Sequence, residues 1–392
     1  MTKAKNNTGP LAGVLVLDLS RVLAGPWATQ LLADMGAEVI KVERPGTGDD
    51  TRSWGPPFYQ DTDGQPSDAA YFMAANRGKQ SITIDIKTPA GQDLIRQLAV
   101  KADVLVENFK VGALKRFGLD YNSLAALNPK LVYCSITGFG QSGPMQNLPG
   151  YDYAIQAMGG MMSITGRADE EPGGGPLRTG IASADLFTGF YASNAILAAL
   201  LHAGNSGQGQ HIDLALLDCQ MACLINQASN WMLSGKTPER TGNHHPNLTP
   251  YGVYAASDMP FVLAIGNDTQ FAKFCQFAGR EELAQDGRFL TTTERLANRD
   301  ALQACIVPVI ASRPANCWIE GLAAIGVPAG PIQSIPEAFA MPQAQAREMT
   351  HSQSRDDLSQ PIKTPACPIQ FSQTQATKGK APPVLGADTT SI

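Results

Sequence analysis

The stretch GIASADLFTGFYASNAILAALL, residues 180–201, holds a single charge, Asp185, at the head of a run of small and apolar residues. A carboxylate placed there has two uses. It can cap the helix that the run predicts, since Asp is favoured at helix starts, or it can attack an activated carbonyl as a nucleophile. The uses are compatible, because free N–H groups at a helix start favour an anion. Ser183 is also placed to cap, which would leave Asp185 in the first turn. A helix terminus contributes at most about 2 kcal/mol, whereas full burial raises a carboxyl pKa by about 3–5 units. Asp185 therefore needs solvent or further hydrogen-bond donors if it is to attack as an anion.

The other chemistry-bearing residues say less. Glu43 ends a strand, where a ribose-binding acid stands in dinucleotide-binding folds, but the turn SRVLAGPW lacks the G-x-G-x-x-G that admits a pyrophosphate. GTGDDTR (46–52) does not stand between a strand and a helix. His244 and His245 are adjacent, so their side chains diverge, and no further ligands accompany them; no metal site is expected. No serine sits in a G-x-S-x-G elbow. The seven cysteines are odd in number and form no C-x-x-C pair, which points to reduced thiols rather than a disulfide framework.

The elements that must position these residues begin with alternating strands and helices. GVLVLDL (13–19), AEVIKVE (37–43), SITIDI (81–86), DVLVEN (103–108) and KLVYCSI (130–136) read as strands. GPWATQLLADMG (25–36) and a segment from Pro89 to Ala102 read as helices between them. Such alternation implies a parallel sheet with ligands at the carboxyl ends of its strands. Residues 166–180 form a loop, the helix after Asp185 ends near 202–210, and 211–233 reads as a short strand running into a helix. PYGVYAAS and PFVLAIG flank Asp258 and Met259 as a hairpin, and helical segments follow at 268–279, 293–311 and 314–325. The predicted fold is α/β: a large Rossmann-like domain from 1–224 and 331–392, and a smaller α+β domain over 225–330. The polar, proline-rich tail from 353 is expected to wrap a surface.

Composition narrows the function. A net charge of -5 and a pI near 5.6 argue against nucleic acid or an anionic membrane as partner. The N-terminal MTKAKNNTGP lacks the apolar core of a signal peptide, and Thr188, Ser193 and Asn194 interrupt the only long apolar run. A cytoplasmic protein without membrane contact is expected.

Taken together, several stretches resemble the class III coenzyme A transferases, the CaiB/BaiF family. They are LDLSRVLAGPWATQLLADMGAEVIKVERPGTGDDTRSWGPPF, NRGKQSITIDIKTPAG, DVLVENFKVGALKRFGL, ITGFGQSGP, PGYDYAIQAMGGMMSITG, the segment with Asp185, DGRFLTTTERLANRDAL, GVPAGPI, QAREM and APPVLGADTT, in the family's order along nearly the entire chain. The resemblance implies that Asp185 is the catalytic aspartate. It would attack an acyl-CoA thioester and exchange CoA through covalent aspartyl intermediates, without a prosthetic group or metal. Arg44 and Arg116 match phosphate- or adenine-contacting positions, and Ile84 and Ile86 match residues flanking the adenine. Val22, Ala24, Asn108, Phe109 and Ala113 match residues lining the CoA channel. The resemblance also implies an interlocked homodimer.

Two departures matter. The racemase branch of the family carries G-H-D, whereas this chain has GYD, with Tyr151 and Asp152. Tyrosine, with a pKa near 10, is a poor base at neutral pH, so an α-methylacyl-CoA racemase ranks behind a transferase. A catalytically silent CoA-binding or dinucleotide-binding protein is the third reading. Near TGNHHPNLTPYG there is no glycine run of the kind that closes over some transferase sites. HIDLALLDCQMACL looks most like the branch that moves CoA between succinate and other dicarboxylates. Arg52, Tyr151 and Asp152 are candidate substrate-binding residues, Arg52 serving either acceptor binding or the structure of the site.

Overall fold

The computed structural model describes residues 9–377 and 379–392, and the chain divides into two compact units. The first comprises the residues up to Met161, Thr179–Leu224 and Pro342–Ile392. Its sheet contains β1 (Leu15–Asp18), β2 (Glu38–Glu43), β3 (Lys79–Thr83), β4 (Val104–Glu107), β5 (Val132–Thr137) and β6 (His211–Ala215). All pairings are parallel, in the order β3-β2-β1-β4-β5-β6. Val16 and Leu17, which point to opposite faces of β1, are 0% and 1% exposed, as a sheet covered on both sides requires. The strand order reverses between β1 and β4, the topological switch point where open parallel sheets hold ligands.

Helix α1 (Ala24–Asp34) follows β1, has no side-chain cap at its start, and ends before Gly36, whose φ of 98° suits the left-handed turn there. Helix α2 (Pro89–Lys101) is capped by the Thr88 hydroxyl, which accepts from Gly91 N at 3.1 Å. The strand expected at 81–86 lies earlier, at β3. The turn closed by Thr88 N donating to Asp85 O at 3.1 Å pulls Ile84 and Ile86 out beyond its end.

Helices α3 (Asp152–Met158), α4 (Ser183–Ser206) and α5 (Leu216–Ala222) complete the face of α1. By length and apolarity α4 could cross a membrane. Its Ala184, Ala192 and Ile196 are fully buried in the core shared with α1 and the sheet, and Thr188 satisfies its hydroxyl by donating to Ala184 O. The helix expected to continue to 233 breaks after α5, and its second part, α6 (Ile225–Ser234), belongs to the other unit.

The second unit comprises Met162–Arg178 and Ile225–Met341 in place of the expected 225–330. Strands β7 (Tyr251–Ala255), β8 (Pro260–Ala264) and β9 (Ala329–Pro331) form an antiparallel sheet in the order β9-β8-β7. Pairing of β9 with β8 carries this unit beyond 330. The 162–178 loop joins it through Gly242 N donating to Gly166 O and Arg240 Nε donating to Arg167 O. Helices α7 (Asp268–Ala278), α8 (Arg299–Ile310) and α9 (Ala315–Ala324) cover a core of Phe261, Phe274, Leu302 and Trp318. The expected helix 293–311 is split at Asn298.

The tail returns to the first unit and runs along β3. Ser81 N donates to Asp388 Oδ2, Gly386 N to the Ser81 hydroxyl, and Gly78 N to Lys380 O. A wet strand edge is thereby covered.

Candidate active site

Two cavities open at the carboxyl ends of the strands in the first unit. One, of about 530 Å³, lies beyond β2 and β3 and is lined by Arg44, Ile84 and Ile86 among others. The second, of about 410 Å³, lies beyond β1 and β4 and is lined by Val22, Ala24, Asn108, Phe109, Ala113, Arg116, Tyr151 and Asp185. Arg21 and Phe109 belong to both walls, so the cavities meet there. Arg44 and Arg116 are exposed and form no ion pair among the described residues, which leaves their guanidinium forks open to an anion.

Asp185 lies in the first turn of α4, but Ser183 does not cap the helix. The cap comes from another element. Asp152 Oδ1, at the start of α3, accepts from Ala184 N at 2.8 Å and from Asp185 N at 3.3 Å, while its Oδ2 accepts from Gln156 Nε2 at 2.7 Å. The donors expected to keep Asp185 ionised are thus spent on a second carboxylate. Burial, followed by the negative charge of Asp152, pushes the Asp185 carboxyl up to about 7. Asp185 is poised between carboxylic acid and carboxylate near neutrality.

Tyr71 faces the same charges. Burial and then the carboxylates of Asp185, Asp152 and Asp49 push its phenol up to about 12, and its ring meets Trp54 edge-on at 5.4 Å. Tyr71 carries no sequence signal, because it stands on a short separate helix, Ala70–Ala75. Arg21 was legible in principle, as a basic residue just beyond the end of β1.

The turn after β1 is held in an uncommon conformation. Val22 has a φ of 71°, in the left-handed region that β-branched residues avoid. Asn108 clamps its neighbour, accepting from Arg21 N at 2.9 Å and donating to Arg21 O at 2.7 Å. Asp49 Oδ1 accepts from Val22 N at 3.2 Å. Asp49 is itself fixed by fully buried Lys41, whose Nζ lies 2.8 Å from Oδ2, and its carboxyl is held down at about 2.

Arg52 lines neither cavity. Its Nε and Nη2 donate to Glu43, its Nη1 to Asp68 and its Nη2 also to Pro383 O, and it stacks 3.7 Å from the centre of the Phe72 ring. This geometry favours the structural use of Arg52 over acceptor binding. It also engages Glu43, which lines the first cavity and accepts from Arg52, Ser81 and Asp49 N.

The sheet's carboxyl edge opens on a buried carboxyl group and on arginines without an ion pair among the described residues, and residues 11–389 match the model of CoA-transferase family III. The chain belongs to that family and is a coenzyme A transferase. It is 50% identical over 98% of its length, and 95% of the relative's, to the succinate--glutarate CoA-transferase of Agrobacterium fabrum. It is 40% identical to the succinyl-CoA:glutarate CoA-transferase of Mus musculus, covering 98% of this chain and 85% of that one. Among solved structures, a CaiB/BaiF family protein from Brucella suis is similar with a TM-score of 0.84 and 47% identity, covering 98% of each chain.

Proposed function

We propose that this transferase moves CoA from succinyl-CoA to a dicarboxylic acid of the glutarate type, with Asp185 as the covalent nucleophile. The acids follow the names of the relatives from Agrobacterium fabrum and Mus musculus. The observation that carries the residue assignment is that Asp185, its carboxyl raised to about 7, shares a cavity with the expected channel residues.

The steps balance without cofactor or metal. The Asp185 carboxylate attacks the thioester carbonyl of succinyl-CoA and expels the CoA thiolate, leaving an aspartyl–succinyl anhydride. The thiolate attacks the aspartyl carbonyl, releases succinate and leaves an aspartyl–CoA thioester. A carboxylate of the acceptor attacks that thioester, giving a second anhydride and thiolate. The thiolate then attacks the acceptor's carbonyl, forming the new acyl-CoA and freeing Asp185. Splitting one exchange into these steps retains the thioester's energy.

In this reading the nucleotide end of CoA lies by Arg44, Ile84 and Ile86. Arg116 meets a phosphate or the adenine, and the thiol end follows Val22, Ala24, Asn108, Phe109 and Ala113 toward Asp185. Tyr151, 66% exposed at the cavity wall, can meet the acyl group, while Asp152 acts through its cap and its charge. An interlocked cytoplasmic homodimer belongs to the same reading. The exposed apolar side chains of Tyr153, Met158, Phe190, Tyr191 and Leu201 on α3 and α4 support a partner subunit there.

Intact-protein mass spectrometry after mixing with succinyl-CoA, with borohydride to reduce the activated aspartyl ester, tests the assignment. A CoA adduct or its reduced product mapped to Asp185, absent from Asp185→Ala, is expected. Binding of CoA without an adduct from any acyl-CoA would overturn the nucleophile.

A further inference from the structure

Gln156 is a fully buried amide that the transfer steps leave unused. It stands one turn after Asp152 on α3, and every hydrogen-bonding position of its side chain is filled. Nε2 donates to Asp152 Oδ2 at 2.7 Å and to Ile181 O at 3.3 Å. Oε1 accepts from Thr179 N at 3.0 Å and lies 3.1 Å from the Thr179 hydroxyl. That hydroxyl stands 2.8 Å from Ile181 O and 3.0 Å from Ser183 Oγ. The partners fix which way the amide points. Reversed, it would set oxygen against a carboxylate and a carbonyl, and N–H against N–H.

These bonds converge on Asp185. Asp152 divides its work between two oxygens: Oδ1 caps α4 at Ala184 N and Asp185 N, and Oδ2 takes the Gln156 amide. The backbone before Asp152 is set by a close crossing of two glycines, where a Cβ on Gly150 would stand 2.4 Å from Gly138 Cα. The crossing places the backbone but leaves the torsions of the Asp152 side chain open to more than one rotamer. Gln156 supplies the missing constraint. Its remaining bonds hold residues 179–181, by which the chain re-enters the first unit and leads into α4.

We propose that Gln156 is a positioning residue for CoA transfer: its amide holds Asp152 in the rotamer that caps α4, and so sets where the Asp185 carboxyl meets the thioester carbonyl. The inference rests on Asp185 as the nucleophile. A merely structural use of Gln156, tying 179–181 to α3, would work through Thr179 and Ile181 and be indifferent to Asp152.

The test is a double-mutant cycle. Its readout is the single-turnover rate of covalent adduct formation from saturating succinyl-CoA, by rapid quench and intact-protein mass spectrometry, beside Kd for CoA by calorimetry. Gln156→Met keeps the length of the side chain and removes its polar atoms. It should slow adduct formation about ten- to hundredfold, the loss a misplaced reacting group brings, with Kd for CoA within about twofold of the wild type. In an Asp152→Ala background there is no cap to hold, and the same substitution should cost less than about threefold. An equal loss in both backgrounds, or an unaltered rate in Gln156→Met, overturns the inference. Thr179→Val retains the Thr179 N–H and the bond from Gln156 to Asp152, and it decides the matter if Gln156→Met does not fold. A rate near that of the wild type supports the inference, and a loss as large as that of Asp152→Ala overturns it. A wild-type protein that binds CoA yet forms no adduct instead sinks the Asp185 assignment beneath it.

Discussion

At the scale of single residues, the site turns on two carboxylates that answer to each other. As the proposed nucleophile Asp185 needs its anion, so kcat/KM for the acyl-CoA should rise with pH through a midpoint near 7. The stability effect has the opposite sign. A folded-state pKa above the ordinary carboxyl value means that the native protein binds the extra proton, so stability falls as pH rises from about 4 through 7. Asp185→Asn should abolish transfer, by about 10⁴-fold or more, yet raise the melting temperature at pH 8, read by calorimetry. Asp152→Asn keeps an oxygen to cap α4 but removes the charge. The midpoint of the pH–rate profile should therefore move below that of the wild type; an unmoved midpoint would show that burial alone raises Asp185. The sequence made Asp185 visible through its isolation and its family resemblance. The cap was hidden because Asp152 lies 32 residues before Ala184. For Arg52 the sequence left acceptor binding and a structural use level, since sequence proximity does not reveal that Glu43, Asp68 and Pro383 would saturate it.

At the scale of elements, the βα units were legible because buried parallel strands are near-continuous apolar runs. Their ends were less so: local turn bonds moved Ile84 and Ile86 from an expected strand into a cavity wall. The turn after β1 was not legible at all, since nothing in SRVLAGP declares a left-handed valine. Strain at such a residue costs about 1–3 kcal/mol, and glycine would lose about 1 kcal/mol of chain entropy in relieving it. Val22→Gly should therefore change the urea midpoint little while raising KM for acyl-CoA severalfold, because the apolar wall is lost. A large drop in stability would mean that the Val22 side chain serves the fold rather than the channel.

At the scale of the whole molecule, the alternation of strands and helices announced the large unit, but not the excursion of 162–178 into the other one or the run of that unit to Met341. Those memberships depend on pairing between distant segments, which periodicity does not encode. Removing residues 379–392 should strip β3 of its cover and Arg52 of an acceptor. Thermal unfolding at lower temperature and aggregation detected by light scattering are the expected outcomes. The same bonds bear on how the protein is made. Ser81 and Arg52 leave the ribosome long before their partners Asp388 and Pro383, which stand 307 and 331 residues further along the chain. The first unit cannot close these hydrogen bonds until its tail emerges, whereas the stretch that interrupts it, 225–341, is made before that tail. A nascent chain that stalls before the tail emerges would hold an open sheet edge, and such chains are the ones chaperones should be found guarding.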